Sequence, residues 1–234
     1  MIPAAFAYHR PGSLNETFGL LAQHGEDARV VAGGHSLIPM MKLRLARPEH
    51  LVDLQDVEEL RGIRSEPDAV IIGSMTTQHE LIGSELLTAR CPIIRETALQ
   101  IADPQVRYCG TLGGNIANGD PGNDMPAVMM ALDARYRLER GDGKREIAAR
   151  EFYRGVYSTA LQSDEILISI HIPTPAEPQT PAKAGRLRAK QVRGGAARAR
   201  AICLVQRSRI SRAWRTTFPT VLSSRKRSRL GRAV

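Results

Sequence analysis

Between Gly110 and Asp124 the chain places five glycines, three asparagines and two acids, as Gly110-Thr111-Leu112-Gly113-Gly114-Asn115 and, after Asn118, Gly119-Asp120-Pro121-Gly122-Asn123-Asp124. No helical or strand period survives in such a stretch, so the sequence predicts an ordered loop whose backbone closely approaches something else. Glycine pairs let consecutive N–H groups converge on an anion, while Asn and Asp offer hydrogen bonds to hydroxyls or amides. The plainer reading, in which glycine and asparagine simply make turns between strands, accounts for one such loop equally well. A second glycine pair, Gly33-Gly34, lies more than seventy positions earlier. It follows the β-rich run Ala28-Arg29-Val30-Val31-Ala32 and leads through His35 and Ser36 to Pro39, which suits a first helical turn.

The segments around these loops alternate in type. Ser13-Leu14-Asn15-Glu16 has the form of a capping box, and Leu14, Phe18 and Leu21 follow at helical spacing up to Gly25. His50 to Leu54 reads as a strand, so the opening segment predicts a small βαβ unit. Val70-Ile71-Ile72 reads as a buried strand, and Thr76-Thr77-Gln78-His79-Glu80 as the cap of a helix carrying Leu81, Ile82 and Leu86. A further helix is expected after Pro92, with Ile94, Ala98 and Ile101 on one face. Asp124 is placed to cap a short helix in which Met129 is core filler. Strands are expected over 134–139, 144–148 and 166–172, with a brief helix or turn at 151–154. Partial alternation in the last strand suggests one running from edge to core.

Charge divides the chain sharply. Residues 1–174 carry 17 Lys+Arg against 23 Asp+Glu, a net charge of −6, whereas residues 175–234 carry 16 against one, a net charge of +15. That shift marks a boundary near Pro173-Thr174-Pro175. Cys91, Cys109 and Cys203 have no zinc-ligand or iron–sulfur spacing, and reduced cytoplasmic thiols are the simplest account. The apolar N-terminal run is short and broken by Pro3, so no signal peptide is expected, and no run reaches the length of a membrane span. Neither glycine loop has the spacing of a Rossmann fingerprint or of a P-loop, and no lysine sits where a triphosphate would need one. Two such loops can instead clamp a dinucleotide's pyrophosphate from opposite sides, which needs donors on both faces once desolvated.

Taken jointly, Ala32-Gly33-Gly34-His35-Ser36 and Thr111-Leu112-Gly113-Gly114-Asn115 resemble the paired FAD-binding motifs of the medium, flavin-carrying subunits of molybdenum hydroxylases. The likeness is to aerobic carbon monoxide dehydrogenase medium chains and, more distantly, to xanthine dehydrogenase flavin domains. It runs from the N-terminus to about Pro173, through Tyr8-His9, Leu37 to Lys42, Ile101 to Arg107 and Gly119 to Asp124. The resemblance implies an α+β fold of two subdomains, about 1–55 and 56–174, with FAD between them and the diphosphate held by both glycine loops. It further implies cofactor contacts from Asp124, Ile101 and Leu167. Read from the residues alone, Asp124 is equally a helix cap, Ile101 and Leu167 are core residues, and His35 is a solvated loop histidine. The implied chemistry is electron relay. A large molybdenum-cofactor subunit oxidises substrate, a small [2Fe-2S] subunit passes electrons on, and the flavin delivers them to an external acceptor, with no catalytic side chain and no metal ligand expected here.

The resemblance stops at the charge boundary. Family members continue there into a further α+β domain of about a hundred residues, a common domain size. The Arg/Ala/Gly/Ser-rich sequence over 175–234 matches none of it, so the usual C-terminal domain is expected to be missing. Two accounts of this tail stand: a disordered basic arm for nucleic acid or an acidic surface, with Arg225-Lys226-Arg227 to neutralise phosphates, or a shifted reading frame of GC-rich coding DNA, the favoured one. A third possibility is an apo remnant that folds without retaining FAD.

Overall fold

The computed structural model describes residues 2–174, so expectations for the basic tail lie outside the described residues. Two sheets organise these residues. The first holds β1 (Ala7–His9), β2 (Ala28–Val31) and β3 (His50–Asp53), all parallel in the order β1-β3-β2. Helices α1 (Leu14–His24) and α2 (Leu37–Lys42) make the connections. Ser13 caps α1 by accepting from the Glu16 amide at 3.3 Å, but the Glu16 carboxylate takes the Gly12 amide at 2.8 Å, so the expected capping box closes one residue early.

The second sheet is antiparallel in the order β4-β5-β10-β6-β7, from β4 (Ile63–Ser65), β5 (Ala69–Gly73), β6 (Arg135–Arg140), β7 (Gly143–Ala148) and β10 (Ile166–Pro173). Between β5 and β6 runs a helical layer: α3 (Gln78–Gly83), α4 (Glu85–Arg90), α5 (Pro92–Gln100), α6 (Pro104–Cys109), α7 (Leu112–Ala117) and α8 (Asp124–Ala131). Helix α9 (Ala149–Phe152) and the hairpin of β8 (Tyr153–Gly155) and β9 (Ser158–Thr159) close the return to β10. Segregated helices on an antiparallel sheet, beside a small parallel sheet, make the architecture α+β.

Strand β10 joins the two halves. Leu167, Ile170 and Ile172 belong to the main core with Ile94, Leu112 and Tyr136, while Ile166 and Ile168 belong to a second cluster with Leu21, Val52 and Leu54 of the first sheet's layer. It is therefore a central strand buried on both faces, not an edge strand, which is why its polar alternation is weak. At its N-terminal approach, Arg145 grips the buried Glu165 with two 2.6 Å bonds. Burial pushes the Glu165 carboxyl up, but Arg145 and the Gln162 amide outweigh it and hold the group below its ordinary range.

Two further expectations change. The stretch from Leu112 to Ala117 is helical and not a loop, because Thr111 caps it by accepting from the Gly114 amide at 3.1 Å. At α8 the cap position belongs to Asn123, and Asp124 is the first helical residue, where its charge favours the helix N-terminus.

Candidate functional site

The turn after β2 is shaped by its two glycines in different ways. A Cβ on Gly33 would lie 2.1 Å from the Cys109 carbonyl oxygen and 2.8 Å from Gly110 Cα, so only glycine permits this approach of the two turns. Gly34 adopts φ +72°, a left-handed conformation that side chains disfavour, and its carbonyl then accepts the Ile38 amide at 2.9 Å to open α2. The amides of Gly33, Gly34, His35, Ser36 and Leu37 donate to no acceptor among the described residues. Such a run of unpaired donors in a tight turn forms an anion-binding concavity.

At the second turn the amides are spent differently. Leu112 donates to Thr76 O and Gly113 to Ser74 O, both at 2.8 Å, Gly114 to the Thr111 hydroxyl, and Asn115 to Thr111 O. The amides at 33–37 are thus available to an anion, whereas those at 112–115 are engaged within the protein. Here glycine serves close packing instead. A Cβ on Gly113 would meet Ser74 Cβ at 2.5 Å, and one on Gly114 would meet Ala32 Cβ at 3.4 Å. The two turns, distant in sequence, are in van der Waals contact.

The segment after β5 stitches this seam. Gln78 donates from its backbone to Gly110 O at 2.8 Å, and Thr77 bridges Thr111 in antiparallel register, while a complete capping box between Thr77 and Glu80 starts α3. Around the seam lie buried polar atoms without a partner among the described residues: Ser74 Oγ, both side-chain atoms of Gln78, and Asn115 Oδ1. Orphaned polar atoms at one place cost stability unless something else satisfies them. Ser74 drew no notice in the sequence and Gln78 only as part of a helix cap; their one signal as site residues was the largely polar stretch from Ser74 to Glu80 after an apolar strand.

The remaining predicted positions gather with varying closeness. Ala32 and Gly33 are half-buried at the contact, whereas His35 and Ser36 are exposed. Ile101 is half-buried as the C-cap residue of α5, just before Ala102, whose φ of 41° is unusual for a residue with a side chain. Arg107 secures that bend, with Nη1 donating to the carbonyls of Leu99, Ile101 and Ala102 at 3.0–3.3 Å. Asp124 is exposed at the start of α8, one residue beyond Asn123, whose side-chain amide donates to Asn115 O at 3.2 Å. Asp120 braces the same loop by accepting from the Gly122 amide and the Tyr157 hydroxyl. Partial burial and that bond to Asp120 push the Tyr157 phenol above its ordinary pKa. Leu167 is buried in the core cluster that also holds Leu112 and Ile116 of α7, which makes it part of the floor under the second turn.

This fold is that of a cofactor-binding family: residues 4–175 match the family described as FAD binding domain in molybdopterin dehydrogenase, and the chain belongs to it. FAD is the cofactor of that family's fold. The chain is 61% identical over 175 residues to the carbon monoxide dehydrogenase medium chain of Afipia carboxidovorans, covering 75% of this chain and 61% of the relative. It is 50% identical over 177 residues to that of Hydrogenophaga pseudoflava, covering 76% and 62%. Reconstituted CO dehydrogenase from Oligotropha carboxidovorans superposes with a TM-score of 0.74 at 61% identity, over 75% of this chain and 61% of that one. The chain therefore spans about three fifths of the length of the relatives it matches. Among the described residues, no helix is long and apolar enough to cross a membrane.

Proposed function

We propose that this chain is the FAD-holding part of a medium subunit of a molybdenum hydroxylase of the carbon monoxide dehydrogenase type, relaying electrons from iron–sulfur clusters to an external acceptor. Its partners on this reading are a large molybdenum-cofactor subunit and a small [2Fe-2S] subunit. The single observation that carries the reading is the run of unpaired amides at 33–37 in contact with the second glycine turn. The residues present fit the cofactor. The amides of Gly33 to Leu37 supply donors for a diphosphate, and the orphaned polar atoms of Ser74, Gln78 and Asn115 gain partners from polar edges of the same ligand.

When bound, FAD supplies the redox chemistry, which no side chain of this site can perform. The chain's own residues bind and orient. Ala32 to Ser36 take the diphosphate; Thr111 to Asn115 shape the opposing wall; Asp124 offers a carboxylate to a hydroxyl; Ile101 presents an apolar surface fixed by Arg107; and Leu167 supports α7 from the core. No proton transfer by a side chain is required.

The test is flavin analysis of the full 234-residue chain. Purified protein should be yellow and release FAD on denaturation, and apoprotein should rebind FAD far more tightly than FMN, which lacks the diphosphate bridge. Equal affinity for the two flavins would overturn the assignment of residues 33–37. Relay to an acceptor is tested by co-expression with the two partner subunits and measurement of substrate-dependent dye reduction.

A further inference from the structure

On one face of the parallel sheet, beside the C-terminus of α1, three histidines meet. His9 ends β1, His24 ends α1 and His50 opens β3. His50 pairs with Ala7 in the parallel ladder, and side chains two positions apart share a face, so His9 and His50 stand on one face of the sheet. Helix α1 packs on that face through Leu21, in one cluster with Val52, and its last residue brings His24 against both. The His24 and His50 rings are stacked with centroids 3.6 Å apart, the His9 ring lies 5.2 Å from His24, and His9 Nε2 approaches His50 Nδ1 at 3.0 Å.

One nitrogen from each ring lies within 4.8 Å of the others. In a tetrahedral zinc site, imidazole nitrogens about 2.05 Å from the metal are about 3.4 Å apart. Closing the longest separation thus takes about 1.4 Å at most, within reach of side-chain rotation by half-buried rings at element ends. Coordination replaces the His9–His50 hydrogen bond, so nothing buried is left unpaired. The cluster contains no carboxylate and no thiolate, which disfavours magnesium and calcium and suits a borderline ion that accepts three nitrogens.

We propose that His9, His24 and His50 form a three-imidazole site for a divalent cation of the zinc class, completed by water, which ties β1, α1 and β3 together on that face. The site is structural. It clamps the subdomain that carries the 33–37 turn and uses none of the residues named at the flavin seam, so a cation that binds only the folded chain stabilises that subdomain by mass action.

The experiment uses the full chain purified without a histidine tag, stripped with chelator, and titrated with zinc and with cobalt(II). The other three histidines, His35, His79 and His171, are internal controls. Wild type should take up one zinc per chain at micromolar concentration, show the visible absorption of tetrahedral cobalt(II), and melt at a higher temperature with zinc than in chelator. His24→Gln and, separately, His9→Gln should weaken zinc by at least about tenfold, lose the cobalt band and melt indifferently to zinc, while matching wild type in chelator. Calcium should not compete. Zinc uptake by either variant equal to that of wild type, or loss of the cobalt band on replacing His79 instead, would overturn the proposal. Because flavin content is read separately from the same samples, zinc without flavin and flavin without zinc are distinguishable results.

Discussion

The two glycine turns use the same residue pair for opposite ends. After β2, Gly34 bends the backbone into the left-handed region, and five consecutive amides around it remain without an acceptor among the described residues. Before α7, Gly113 and Gly114 have ordinary negative φ values, and every amide from Leu112 to Asn115 is consumed inside the protein. Both turns use a missing side chain for close approach, at Gly33 and at Gly113, but only the first leaves its donors free. A glycine pair in a sequence does not say which of these it does. The distinction lies in where the neighbouring acceptors are, and two of them, the Ser74 and Thr76 carbonyls, come from the segment after β5, more than thirty residues away.

This contrast predicts that the second turn fails by packing and the first by binding. Gly113→Ala has the largest expected effect. Its Cβ would sit 2.5 Å from Ser74 Cβ and 2.7 Å from Ser74 O, and backbone cannot rotate aside as a long side chain can. Denaturant unfolding should show a loss of about 3 kcal/mol, the upper end for overpacking. Unchanged stability would mean that the Ser74 strand end is freer to move than the backbone bonds suggest. Next is Gly33→Ala, where the contact between the turns is itself blocked by the Cys109 carbonyl. If the same 1–3 kcal/mol of strain falls on the bound state, FAD affinity drops by about five- to 150-fold, read by fluorescence titration. Gly34→Ala should be milder, at about 1–2 kcal/mol for the left-handed conformation with Ile38 Cγ1 only 3.1 Å away, and should weaken FAD more than it alters the fold. A fold defect without a flavin defect would reverse the roles assigned to the two turns.

Much of this arrangement was legible because it is local. The strand leading into Gly33, the helix after Pro92, the strands over 134–139 and 166–172 and the core role of Met129 each follow from periods or caps within about ten residues. The helix at Leu112–Ala117 was not legible, because two glycines and an asparagine argue against helix, and only the Thr111 cap and the packing of Leu112 and Ile116 into the core override them. Ser74 and Gln78 stayed invisible for a different reason. Neither stands out as a site residue until the Thr77–Thr111 bridge places it at the seam. The histidine trio shows the same limit, since His9 and His50 are 41 positions apart and meet only through the parallel ladder.

The smallest expected effect sharpens the comparison most. Ser74 Oγ is buried beside the second turn with no partner among the described residues, while the Ser74 carbonyl holds the Gly113 amide. Removing an unpaired hydroxyl relieves a desolvation cost rather than breaking a bond, so Ser74→Ala should leave stability within about 0.5 kcal/mol of wild type or raise it slightly. If the hydroxyl instead finds its partner on the cofactor, the same substitution should weaken FAD by about two- to tenfold, the value of one ordinary hydrogen bond. The two readouts must therefore separate. A variant that loses stability but binds FAD as before would make the second turn a purely internal joint, with the whole burden of recognition resting on residues 33–37.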